Sequence, residues 1–121
     1  MVMHLRKAVN LTRNKTLANS LWVDDTFLSG LLGLMGRRQL PAGEGLWICP
    51  CQSVHSMWMR FPIDVIFLNN QKSIIHMVEN MKPFRVSKHV LTARSVLELP
   101  ARTIQATQTQ LGDQIDICEG N

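Results

Sequence analysis

Long apolar runs are missing from this chain of 121 residues. No stretch approaches the roughly 18 consecutive apolar residues that a membrane-spanning helix needs, so no span is expected. Residues 1–14 carry Arg6, Lys7 and Arg13, but the apolar core of about 7 to 15 residues that marks a secretory signal does not follow them. A soluble, cytoplasmic protein is the resulting expectation. Cysteine is scarce too. Cys49, Cys51 and Cys118 cannot all pair within one chain, and a small odd number suits a reducing compartment better than a disulfide scaffold. Internal repeats, linkers and low-complexity tracts are also absent.

What is present is the composition of a globular protein, with 45% hydrophobic and 18% charged residues. The length fits one domain, which typically spans about 100 to 150 residues, so residues 1–121 are expected to share one core. A formal charge of +4 is modest and argues against nucleic acid as a partner. Its distribution is uneven. No acid occurs between Glu79 and Glu98, whereas Lys82, Arg85, Lys88, His89 and Arg94 all fall there. Such a run is ordinarily a solvated loop, although it can also face an anionic ligand, a nucleic acid or a membrane surface. Phe84 is its one aromatic residue, too little for a single-strand stacking platform.

The patterning alternates in short pieces. Met3–Leu11 and Leu17–Val23, separated by a polar cluster, predict an opening hairpin. Asp24, Asp25 and Thr26 are good N-cap types, and Phe27, Leu28, Leu31, Leu32 and Met35 recur at helical spacing, predicting the main helix over about 25–36. Further strands are expected at Leu46–Ile48, Val54–Met59, Ile63–Leu68, Ser73–Val78, Val96–Leu99 and Gln114–Cys118, with a short helix at Ala101–Gln108. The fold class expected is α+β, mostly β: a small antiparallel barrel or sandwich of about seven strands.

Five separated motifs resemble a known family. They are Gly33-Leu34-Met35-Gly36-Arg37, Gly43-Glu44-Gly45-Leu46, Met59-Arg60-Phe61-Pro62-Ile63-Asp64-Val65-Ile66-Phe67-Leu68, Val96-Leu97-Glu98-Leu99-Pro100 and Gly112-Asp113. In order and spacing they are similar to the domain-of-unknown-function family 192, also called the uncharacterised ACR family. The resemblance implies a compact β-rich fold with one main helix, no established activity, and matched positions at Arg60 and Asp64. Where Leu-Pro-Ala-Gly is common, this chain reads Leu-Pro-Ala-Arg. Arg102 in place of glycine implies a turn that avoids a positive φ.

Reactive side chains are densest from Cys49 to Asp64. The leading expectation is a small-molecule or peptide-binding accessory domain rather than an enzyme. Trp58 and Trp47 would wall its cleft, and Arg60 would clamp an anionic group of the ligand. Asp64, alone in an apolar run, needs a partner such as Arg60 or backbone N–H groups. Glu44, flanked by glycines, joins Trp58, Arg60 and Asp64 as a candidate ligand-binding residue. A hydrolase or thiol enzyme is the alternative, with Cys51 as nucleophile, His55 as base and Asp64 orienting the imidazole. In a strand Cys51 and His55 would stand about 13 Å apart, so that reading requires a bend. A soft-metal site of Cys49, Cys51 and His55 is the second alternative, although Cys-x-Cys lacks the usual paired zinc spacing. No cofactor is expected.

Overall fold

The computed structural model describes residues 5–24, 40–56 and 59–119. The helix expected over 25–36, together with Met57 and Trp58, lies outside the described residues. Seven strands form one sheet: β1 (Leu5–Asn10), β2 (Lys15–Asp24), β3 (Glu44–Ile48), β4 (Ile63–Leu68), β5 (Ile74–Met81), β6 (Ser95–Pro100) and β7 (Ile115–Glu119). A single described helix, α1 (Thr103–Thr107), follows β6. The strand order is β5-β4-β6-β3-β2-β1-β7. Every pairing is antiparallel except β2 with β3, which run parallel with Leu21 opposite Gly45.

The sheet curls until its two edge strands meet at one end. Ile74 N–H donates to the Asp113 carbonyl at 3.0 Å, Gly112 N–H to Ile74 at 2.8 Å and Ile115 N–H to Lys72 at 2.9 Å. The result is a mostly β half-barrel. All seven strands send side chains to its interior, among them Ala8, Leu21, Trp47, Ile66, Ile74, Leu97 and Ile115, and Ile104 of α1 plugs it. Gly45 is required on this side. A Cβ there would stand 2.8 Å from Leu99 Cδ2 and 3.1 Å from the Glu98 carbonyl.

The other face, along β3, β6, β4 and β5, carries Leu46, Ile48, Val96, Val65, Phe67 and Met81. It is covered by Cys51, Val54, Met59 and Phe61 from one irregular segment, and by Val90 and Ala93 from another. β4 therefore lies between two apolar layers, which is why its sequence is a nearly continuous apolar run and all six residues are buried.

Two expectations are corrected. The described residues of Val54–Met59 form no strand: among them only His55 makes a bridge, with Val86. β4 already has β5 and β6 as ladder partners, so residues 50–56 bond instead to the 82–94 segment and use Val54 and Met59 as buried cover. Arg102 does not avoid a positive φ; it sits at φ 77, ψ 1. The surrounding bonds hold it there. Thr103 Oγ1 donates to the Pro100 carbonyl at 2.7 Å, and the Asp64 carboxyl accepts the Ile104 N–H at 2.8 Å.

Left-handed backbone costs a residue with a Cβ about 1 kcal/mol. Arg102→Gly should therefore hold or raise the unfolding free energy measured by urea titration, while Arg102→Val should lower it by about 1 to 2 kcal/mol. Asp64→Ala, which strands the buried Ile104 N–H and the partly buried Asn80 N–H, should cost about 3 kcal/mol on the same measurement.

Candidate binding site

The chain leaves β3 through a cis Cys49–Pro50 bond and runs irregularly to β4. Its polar backbone is satisfied by the segment that follows β5. Cys51 N–H donates to the Arg94 carbonyl at 2.9 Å, Val90 N–H to Gln52 at 2.8 Å, Ser87 N–H to Val54 at 2.8 Å and Ser56 N–H to Arg85 at 2.8 Å. Side chains add to this. Gln52 Nε2 donates to the Leu91 carbonyl at 2.8 Å, and fully buried Ser56 donates its hydroxyl to the Lys82 carbonyl at 2.5 Å. Two segments without regular structure are thereby held in fixed register over the outer face of the sheet.

Between them opens a cleft of about 360 Å³ lined by Pro50, Cys51, Gln52, Ser53, His89, Ala93 and Arg94. Its floor is apolar where Ala93 and Cys51 turn inward, and its rim carries exposed His89 and Arg94. A second open cleft, of about 490 Å³, runs between β5 and residues 82–88 and brings Lys82, Arg85 and Lys88 near His76 and Glu79.

The expected site residues are dispersed. Asp64 is fully buried, and its two oxygens accept the backbone N–H groups of Asn80 and Ile104, each at 2.8 Å. No ion pair joins it to Arg60, which is exposed. Glu44 stands half-buried at the head of β3, and Trp47 packs on the half-barrel interior with its indole N–H buried and without an acceptor among the described residues. The Cys51 thiol donates to the Ser53 carbonyl at 3.1 Å rather than to an imidazole. Burial pushes that thiol up, the Ser53 hydrogen bond pulls it down, and nearby Glu98 and Cys49 push it up further. The net rise keeps it protonated at neutral pH, the reverse of an activated thiolate. All three cysteines are free, and no group of three or more His, Cys, Asp or Glu among the described residues is placed to share a metal ion.

Glu98 is the residue that sequence reasoning passed over. It lies on β6 opposite Leu46 and Val65, on the face shared with Val96 and Cys51, and is only 5% exposed. Burial alone pushes its carboxyl up to about 8, so it carries its proton at neutral pH. The signal was available: Glu98 interrupts an apolar strand just as Asp64 does. Glu44, two residues before Leu46 on β3, points to the same face diagonally from Glu98.

Because the folded state holds this proton and the unfolded state releases it near 4.5, the stabilising contribution is complete below that pH and is lost as pH rises toward about 8. Relative to Glu98→Gln, wild-type unfolding free energy should fall by roughly 1.4 kcal/mol per pH unit across this window. Urea melts of both proteins from pH 4 to about 9 would show it, and parallel curves would remove the assignment.

Comparison with known proteins identifies the family and agrees with the fold. The profile of the family described as Uncharacterized ACR matches residues 9–117. A UPF0127 protein of Pyrococcus furiosus is 31% identical over 113 residues, covering 89% of this chain and 95% of the relative. One from Pyrococcus horikoshii is 29% identical over 112 residues, covering 88% and 95%. In fold, a protein of unknown function from Novosphingobium aromaticivorans superposes with a TM-score of 0.79 at 17% identity, over 94% of this chain and 84% of its own.

Proposed function

The chain belongs to the Uncharacterized ACR family, domain-of-unknown-function family 192, and from its own side chains we propose that it is a binding domain for a small anionic ligand. The ligand would sit in the cleft between residues 50–53 and 89–94. One observation carries this reading. Arg94, His89 and Ser53 line the cleft, no carboxyl group among the described residues does, and none of these three side chains bonds to another described residue. A guanidinium supplies a two-pronged donor suited to carboxylate or phosphate, and a hydroxyl and a ring N–H complete a donor set. The apolar floor of Ala93 and Cys51 excludes water beneath the bound group and strengthens those bonds.

Relative to the sequence-based expectation, the proposed cleft lies to one side of Arg60, on the Cys51 end of the same segment. Glu44 and Asp64 are not part of it. A hydrolytic or thiol reaction has less support, because Asp64 is occupied by backbone N–H groups and the Cys51 thiol is held protonated. Three free thiols suit a reducing compartment, and cytoplasmic placement forms part of this proposal.

A ligand that binds only the folded state raises the melting point, by the equivalent of about 2.7 kcal/mol at a hundredfold excess over Kd. Phosphate, citrate and a short acidic peptide should be titrated while melting is followed by fluorescence. At least one should produce a saturable rise that Arg94→Ser abolishes, while the ligand-free melting point stays within about 1 kcal/mol of wild type because Arg94 is exposed. No rise with any anion, or an equal rise in Arg94→Ser, rejects the reading.

A further inference from the structure

We propose that the 82–94 segment docks this protein on an anionic membrane surface, with Val86 and Leu91 entering the interface and the surrounding cations meeting lipid phosphates. The first observation is charge. Lys82, Arg85, Lys88 and Arg94 are all exposed, and no acid occurs between Glu79 and Glu98. Among the described residues, Glu79 is the one acid lining the second cleft beside Lys82, Arg85 and Lys88.

The second observation is independent of charge. Among the described residues, six large hydrophobic side chains are exposed, and three of them, Phe84, Val86 and Leu91, fall in this segment; Val86 is 72% and Leu91 79% exposed. A solvated basic loop accounts for the lysines and arginines but gives no reason for aliphatic side chains among them. Nor is the segment short of places to bury apolar groups, because its own Val90 and Ala93 are in the core. The backbone between them is tied down through Ser87, Val90 and the Leu91 carbonyl, so Val86 and Leu91 are held outward by a fixed scaffold. Five residues of chain can span at most about 18 Å, so the two side chains lie within one patch of the surface.

Cations interleaved with exposed aliphatic side chains match the two attractions that hold a peripheral protein at a bilayer: anionic headgroups for the charges, and the acyl boundary for the apolar groups. Nucleic acid fits less well, since bases stack on aromatic rings and neither Val86 nor Leu91 offers one. This docking does not depend on the anion cleft, with which it shares His89 and Arg94 at one end.

The test is flotation of the full chain with phosphatidylcholine vesicles with and without phosphatidylglycerol. Partition onto the phosphatidylglycerol vesicles alone is expected, weakening with added salt. The double variant Val86→Ser/Leu91→Ser, which leaves every charge in place, should bind at least about tenfold more weakly. Its melting point and its response to the small anions should match wild type, so the docking and cleft readings can fail separately. No partition onto acidic vesicles overturns the proposal, and so does equal binding by the double variant. Tighter binding to a DNA duplex than to the vesicles would likewise assign the surface to nucleic acid instead.

Discussion

The Asp64 carboxyl organises the C-terminal half of the molecule. From the strand next to the sheet's β5 edge its two oxygens reach two separate pieces of backbone, the Asn80 N–H at the end of β5 and the Ile104 N–H in the first turn of α1. The first contact fixes where β5 bends, at an asparagine whose φ is 52. The second anchors a five-residue helix that is too short to stand by itself. Anchoring α1 places Ile104 in the half-barrel and forces the left-handed turn at Arg102. A buried polar side chain thus substitutes for what longer secondary structure would provide elsewhere.

Glu98 makes an instructive contrast. Both acids lie on neighbouring central strands within apolar sequence, and both are buried, but they face opposite sides of the sheet. Asp64 faces the end of the half-barrel where chain turns supply N–H donors. Glu98 faces Leu46, Val65 and Val96, where apolar side chains supply none, and retains its proton instead. The same sequence signal therefore corresponds to two different physical solutions, selected by which face the pleat presents.

Much of this was legible in advance. Alternation and turn residues located the strands because each has to bury one face, and β4 stood out because it buries two. The short helix before Leu111 was also readable despite its two threonines. The covering segment was misread: Val54 to Met59 has the apolar content of a strand, but content does not reveal that β4 has no free ladder edge. The turn at Arg102 failed for a related reason, since the bonds that impose φ 77 come from Asp64, about forty residues away. The candidate cleft escaped a local reading because Ser53 and Arg94 belong to different segments. The resemblance of five motifs pointed to the family correctly while leaving chemistry open.

The pairing of β1 with β7 joins Arg6 to Glu119 and Asn10 to Ile115, near opposite ends of the described chain. During synthesis β1 can pair with β2 as soon as both have emerged, yet its other edge has no native neighbour until β7 leaves the ribosome. Until then the nascent half-barrel presents an open row of backbone donors and acceptors, a template for the wrong strand. Arg6 and Lys7 lie along that row, and two cations on an unpaired edge are a known protection against such mispairing. Arg6 thus has two successive employments: repelling other chains while the edge is open, and pairing with Glu119 once it closes.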